Sequence, residues 1–168
     1  FVIHPYSLKV VQRRWYIVAF NPYYEEWNKK HMDDADFKPR KEILVYGLDR
    51  ILDAEILDTT FKIKKGFSMK KLFEGCTGII PSDGKIEEVI VKSYGKGPDY
   101  LRTLPLHESQ QEVESGNGYA IFSYKVKLTY DFMQLIMRQG DQVEVLSPES
   151  LRNDMRNLAK TLTSYYKK

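Results

Sequence analysis

The sequence has few of the residues from which metal sites and disulfides are built. Among its 168 residues are one cysteine, Cys76, and three histidines. A single cysteine excludes an internal disulfide and a zinc site made of cysteines, and it fits a reducing cytoplasm. His31 lies among acidic residues, and the neighbours His107 and Glu108 are not spaced as metal ligands. We therefore expect no bound metal and no cofactor.

Catalytic patterns and long apolar runs are also lacking. No serine has a histidine and an aspartate in a recognised catalytic arrangement, and Cys76 has no activating base near it in the sequence, so we do not expect an enzyme. No run approaches the roughly 18 apolar residues of a membrane span, and no secretion signal opens the chain. These absences predict a cytoplasmic protein with no membrane contact. Strand-like sequence follows Phe1 at once, which predicts a fragment of a longer polypeptide.

The net charge is small but unevenly placed. The formal sum is +3, and residues 1–76 hold 14 basic and 11 acidic side chains, whereas residues 77–168 hold 12 of each. The first 22 residues contain Lys9, Arg13 and Arg14 and no acidic residue. We expect a local positive potential there, whatever the global sum.

The first half of the chain is rich in β-branched and aromatic residues. Tyr6–Phe20 predicts two strands in a hairpin, and Asn21–Lys41 is polar enough to predict a long loop outside the core. Ile43–Leu57 predicts a curving strand with a bend at Gly47. "SMKKLFEG" (68–75) predicts one short helix. Several short strands with one sharp bend fit a small barrel.

The second half alternates strands and helices after the Pro- and Gly-containing stretch "GIIPSDGK" (78–85). The predicted elements are the strand Ile86–Tyr94, the helix Pro98–Leu104, the strand His107–Glu114, a hairpin turn at Asn117-Gly118, the strand Tyr119–Thr129, the helix Asp131–Arg138, the strand Gln142–Leu146 and a helix from Ser147 to Tyr166. This order, βαββαβ with an added C-terminal helix, is the ferredoxin-like plan. The sequence thus predicts an α+β protein with a barrel and short helix in residues 1–76, a linker in 77–85 and an αβ module in 86–168.

Two stretches of the first half resemble a known family. "HPYSLKVVQRRWYIVAFNP" (4–22) and "YGLDRILDAEILDTTF" (46–61) are similar to the WYL domain of bacterial transcription regulators, with Ile17 at the third position of the Trp-Tyr-Leu motif. "VKSYGKGPDYLRTLPLHESQ" (91–110) resembles the WCX module that follows WYL in those regulators. The Asn21–Lys41 loop looks longer than is usual in the family, and the hairpin turn lacks the usual glycine.

The resemblance implies a function as well as a fold. It implies an Sm-like or SH3-like barrel that senses a ligand of nucleic-acid type, such as single-stranded DNA, RNA or a nucleotide. It also implies an αβ module used in assembly, which we expect to form a homodimer. Promoter DNA would be bound only through an N-terminal winged helix-turn-helix that this sequence lacks.

Strand alternation divides the hairpin residues between two faces. Arg14 and Tyr16 share one face, and Trp15 points to the other, more uniformly apolar face, so we expect Trp15 in the core. An arginine fork can hold a phosphate, and a neighbouring aromatic ring offers a stacking face. Arg14 and Tyr16 are therefore candidate ligand residues, with a solvated barrel edge as the alternative.

Four more residues complete the candidate site. Arg50 is an unexpected charge in an apolar strand and lies within the family match, so we expect it to face the ligand. His4 and Tyr6 open the barrel and offer a donor or a stacking ring, with an ordinary edge-strand role as the alternative. Lys9 adds a further positive charge, unless it is simply solvated.

The leading hypothesis is the ligand-sensing and assembly region of a bacterial transcription regulator. Two alternatives stay open: a WYL accessory module that regulates an enzyme or a defence complex, and a purely structural oligomerisation barrel.

Overall fold

The structure is a computed structural model that describes residues 1–167. Its described residues form two antiparallel sheets and five α-helices, so the α+β class is as predicted. The chain divides into a first unit, Phe1–Leu72, and a second unit that begins at Phe73. None of the helices in residues 1–167 is both long enough and apolar enough to cross a membrane.

The first unit is a three-stranded sheet with two helices. Its elements are β1 (His4–Val11), β2 (Arg14–Phe20), α1 (Pro22–His31), β3 (Ile43–Gly47) and α2 (Met69–Leu72). The strands lie in the order β1-β2-β3, and both neighbouring pairs are antiparallel.

The predicted hairpin between β1 and β2 is confirmed, with an unusual turn. Gln12 and Arg13 both have positive φ angles, 48° and 66°. A two-residue hairpin turn of the type that matches strand twist needs positive φ at both central positions, which glycine and asparagine adopt most easily. The strand pairing holds this turn although neither residue favours it.

The segment Asn21–Lys41 departs from the core as predicted, since no residue of α1 is buried, but its first half forms this helix and not a loop. The Asn21 side chain accepts a hydrogen bond from the Tyr23 amide at 3.1 Å and so caps the helix, and Pro22 follows at the first position. Glu25 in the first turn and Lys29 in the last turn both suit the helix dipole. These capping signals stabilise a helix although the composition of the segment is polar.

The predicted strand Ile43–Leu57 is also shorter than expected. Strand β3 ends at Gly47, and a single 3₁₀ turn, Leu48–Arg50, follows it. Residues 51–61 continue without a strand partner. With only three paired strands, the described residues 1–72 do not close into a barrel.

The buried face of β2 is not the one that was predicted. Tyr16, Val18 and Phe20 are 6%, 0% and 4% exposed, and they form the buried face. Trp15 is 53% exposed on the other face, opposite Val10, which is also half exposed. The expectation that Trp15 lies in the core is wrong, because the face of β2 that is buried along its length is the one that carries Tyr16, Val18 and Phe20.

The second unit follows the predicted order of elements. These are β4 (Glu87–Tyr94), α3 (Gly97–Thr103), β5 (Gln111–Gly116), β6 (Tyr119–Val126), α4 (Tyr130–Met137), β7 (Val143–Ser147) and α5 (Glu149–Tyr165). The sheet order is β5-β6-β4-β7, and every neighbouring pair is antiparallel. The turn at Asn117-Gly118 is confirmed, with Gly118 at a φ of 78°.

The core of the second unit lies between its sheet and its helices. Val91, Phe122 and Tyr124 from the central strands contact Phe132 and Ile136 from α4, and all are essentially buried. Burial of this many large apolar side chains is the main stabilising contribution to the unit.

The last part of the segment between the two sheets, residues 73–86, belongs to the second unit. The Lys127 amide donates to the Gly75 carbonyl at 2.8 Å, and the Asp131 carboxylate accepts from the amides of Ile79 and Ile80 at 2.8 and 3.0 Å. Residues 77–85, the expected linker, thus contain backbone that is anchored to α4 of the second unit.

Candidate ligand-binding cleft

A large cleft opens in the first unit, between one end of its sheet and the segment after β3. Its volume is about 1120 Å³. The sheet side is formed by Phe1, Val2, Ile3, His4, Pro5, Ile17, Val45, Tyr46 and Gly47. The opposite side is formed by Arg50, Ile51, Leu52, Asp53, Ala54, Glu55, Ile56, Leu57, Thr59, Thr60 and Phe61.

The lining is mostly apolar, with few charges. Arg50 is its one arginine, His4 lies on the opposite side, and Asp53 and Glu55 are its carboxylates. Sites for small ligands commonly combine apolar walls with a few polar groups that fix orientation. Arg50 is the side chain in this lining best suited to hold an anionic group, since its fork donates two parallel hydrogen bonds.

Arg14 and Arg50 both interact with the Asp49 carboxylate. Arg14 forms an ion pair with Asp49, and this hydrogen-bonded contact lowers the pKa of Asp49 and raises that of Arg14. The charge of Arg50 lowers the pKa of Asp49 further. Because Arg14 and Asp49 are about half exposed, the pair is screened by water and is a weak restraint that an incoming anion can replace.

Gly47 allows this cluster to form at the end of β3. A Cβ atom at position 47 would lie 2.8 Å from the Asp49 carboxylate and 3.0 Å from the Arg50 Nε. A side chain there would displace both groups, so the glycine keeps the guanidinium of Arg50 close to the backbone of β3.

His4 and Tyr6 belong to an aromatic cluster at the start of β1. The His4 ring stacks on Phe61, with centroids 4.7 Å apart and planes at 4°, and the Tyr6 ring meets Phe67 edge-on at 4.8 Å. The Tyr6 hydroxyl accepts a hydrogen bond from the Lys64 amide at 3.2 Å. Both rings thus fix residues 61–67 onto the sheet, and His4 also reaches the cleft.

Lys64 was not found by sequence reasoning. Its ammonium lies 2.8 Å from Glu25 and 2.7 Å from Glu42, and 4.2 Å from the centroid of the Phe20 ring. The hydrogen bond from Lys64 lowers the pKa of Glu25. These contacts tie α1, β3 and the segment near residue 64 together, and no local sequence pattern indicated them.

Lys9 and Tyr16 lie directly opposite each other on β1 and β2. Tyr16 is 6% exposed, so its ring is not free to stack on a ligand in this structure. The exposed aromatic next to Arg14 is Trp15 instead. Of the six candidate residues, Arg14 and Arg50 meet at Asp49, His4 and Tyr6 meet at Phe61, and His4 and Arg50 line the cleft.

The comparisons with known proteins identify part of the chain. No curated protein matches it. Residues 85–163, which run from just before β4 to near the end of α5, match the WCX domain, in agreement with the resemblance noted in the sequence.

Proposed function

We propose that the chain is the ligand-sensing and assembly region of a bacterial transcription regulator, and that its first unit binds a nucleic-acid-type anionic ligand. Single-stranded DNA, RNA or a nucleotide fits this description. The observation that carries the proposal is the position of Arg50, which lines a large and mostly apolar cleft beside a second arginine, Arg14.

The cleft offers both kinds of contact that such a ligand needs. An arginine pairs with phosphate through its planar fork, and aromatic rings stack on bases at about 1–3 kcal/mol per base. Phe1, Tyr46 and Phe61 supply rings in the lining, and the Phe1 and Tyr46 centroids are 5.7 Å apart. A volume of about 1120 Å³ is slightly above the roughly 300–1,000 Å³ of small-ligand sites, so one or a few nucleotides fit.

The fold proposal for the first unit is an Sm-like or SH3-like barrel that is completed by residues 51–61. Strand β3 is an edge of the sheet, and its outer side has no strand partner among residues 1–167. Leu52 and Ile56 in the following segment are fully exposed. Pairing of this segment with β3 would bury apolar surface and enclose the cleft. A ligand that binds the enclosed cleft would therefore favour the paired conformation of the first unit.

The proposal for the second unit is a ferredoxin-like assembly module. The order β5-β6-β4-β7 with antiparallel neighbours, together with the βαββαβ order along the chain, supports this plan. The WCX match supports the regulator context, because the WCX module follows WYL in the regulators that the sequence resembles. We propose a homodimer, since regulators that bind paired half-sites are usually dimers.

Binding of a labelled single strand of about 8 nucleotides, followed by fluorescence anisotropy, tests the ligand proposal. We expect the affinity to fall as salt rises from about 50 to 200 mM, because phosphate contacts release counterions. Arg50→Ala should weaken binding. It should also reduce the slope of the logarithm of the affinity against the logarithm of the salt concentration by about one, since one phosphate contact is lost.

Arg138→Ala, a substitution of the same type in the second unit, is the matched control. It changes the net charge equally and should leave both affinity and slope near the values of the unaltered chain. Equal affinity of the unaltered chain and a folded Arg50→Ala variant would contradict the proposed site, and no binding at low salt would favour a purely structural role.

A further inference from the structure

A second, smaller groove lies in the WCX unit, beside the edge of its sheet. Strand β7 is the last strand in the order β5-β6-β4-β7, so its outer edge has no strand partner among residues 1–167. Helix α5 lies against β7 and follows it directly in the chain. A groove of about 310 Å³ lies between the two elements.

The floor of this groove is apolar. Val143 and Val145 line it from β7, and Met155 and Ala159 line it from α5. Met155 also contacts the core, and Leu151, one turn earlier, is buried, so the first half of α5 is firmly held. The groove is therefore bordered by two elements whose positions are fixed by core packing.

The helical wall of the groove carries two positive charges. Arg152 and Arg156 are four residues apart and lie on the same side of α5. Their carboxylate partners are at long distances, 3.5 Å from Arg152 to Glu144 and 3.9 Å from Arg156 to Glu149. Arg156 also donates a hydrogen bond to the Asn153 side chain. Both arginines are substantially exposed, so these surface contacts can be exchanged for another anion at little cost.

Glu144 is the one carboxylate in the lining, and its charge is already engaged. It accepts a hydrogen bond from the Tyr94 hydroxyl at 2.7 Å and faces Arg152. The net charge of the lining is positive, since two arginines stand against this single glutamate.

We propose that the groove between β7 and α5 docks an extended acidic peptide segment of a partner protein, which adds as a strand to the edge of β7. An edge strand offers unpaired backbone groups, and a neighbouring groove with apolar pockets selects alternate side chains of the added strand. The five residues of β7 give room for a short segment. Every second side chain of the added strand faces the groove, and among these positions apolar side chains lie over Val145 and Met155 while acidic side chains lie beside Arg152 and Arg156.

A single-stranded nucleic acid fits this groove less well. Its phosphates could contact the arginines, but it has no backbone that pairs with a strand edge, and the lining has no aromatic ring for stacking. The strand edge, the apolar floor and the positive wall together favour a peptide.

The test uses the full chain and a fluorescein-labelled peptide of about eight residues in which every second residue, the one that faces the groove, is in turn valine or glutamate, with serine between them. We expect saturable binding in fluorescence anisotropy. Arg156→Glu should weaken it about tenfold, and Ala159→Tyr, which fills the groove from an exposed helix position, should weaken it at least as much. A peptide with alternate backbone amides N-methylated should not bind, because it cannot pair with β7.

Lys160→Glu is the matched control, since it makes the same charge change on the same helix at a residue that does not line the groove. It should alter the affinity about twofold or less. Equal losses in the Lys160→Glu and Arg156→Glu variants would overturn the proposal in favour of a general charge effect. Binding of the N-methylated peptide, or displacement of the peptide by a single-stranded oligonucleotide, would overturn it as well. So would an Arg156→Glu variant that sediments as a monomer where the unaltered chain is a dimer, because the groove would then be the contact between two copies.

Discussion

The two aromatic residues at the start of β2 should respond in opposite ways to truncation. Tyr16 is 6% exposed and Trp15 is 53% exposed, although strand alternation alone favoured Trp15 as the core residue. An aromatic side chain buries about 150–250 Å² when enclosed, and burial contributes about 25 cal/mol per Å². Including the cavity that remains, Tyr16→Ala should lower the free energy of unfolding by about 3–5 kcal/mol.

Trp15→Ala should cost much less. About half of the ring is already in water and its removal leaves no enclosed cavity, so we expect a loss of about 1–2 kcal/mol. Tyr16→Phe is the matched control, because it keeps the buried ring. Urea denaturation followed by circular dichroism at 25 °C gives the three values, with the transition of the first unit fitted separately.

An equal or larger loss for Trp15→Ala would refute the assignment of the two faces. In that case Trp15 would be the core residue and Tyr16 would be free to stack on a ligand. The comparison therefore also decides which ring belongs in a binding experiment.

Three further predictions concern the restraints in each unit. Replacing Gln12 by Asn and Arg13 by Gly should raise the free energy of unfolding by about 1 kcal/mol in a urea titration, because both positions have positive φ and the new pair favours it. Asp131→Ala should lower it by about 1–3 kcal/mol and speed amide hydrogen exchange in the loop that its carboxylate holds; unchanged exchange would contradict this role. The lowered pKa of Glu25 means that its pairing with Lys64 stabilises the fold above about pH 4.3, and the contribution is lost as pH falls through the folded-state pKa. In thermal melts between about pH 6 and pH 3, the melting temperature of the unaltered chain should fall for this reason. The fall should be smaller in the Lys64→Met variant, which has no ion pair to lose.

Local patterns predicted the second unit better than the first. The elements there begin and end at strong signals, such as Pro98 at the start of α3 and Gly118 in the hairpin turn, and each strand pairs with others of similar length. Thr129 caps α4 by accepting a hydrogen bond from the Phe132 amide at 3.3 Å. Such signals act over a few residues, so they can be found in a sequence.

The first unit depends on contacts between distant residues. The pairing of Arg14 with Asp49 and of Lys64 with Glu25 joins positions that no sequence spacing connects. Alternation showed which side chains of β2 share a face, but which face is covered depends on α1 and residues 61–67. Arg50 stood out as a charge within a predicted strand, but it lies in an exposed 3₁₀ turn after β3, and no local pattern predicted that turn or the cleft beside it.

The location of the ligand is the most direct test of the proposed function. Amide NMR spectra of the ¹⁵N-labelled full chain, titrated with a single-stranded oligonucleotide of about 8 nucleotides, report which residues respond. We expect the largest shifts at Ile17, Tyr46, Arg50 and residues 51–61, and we expect Arg50→Ala to remove them. Shifts confined to the second unit, or no shifts at saturating oligonucleotide, would contradict it.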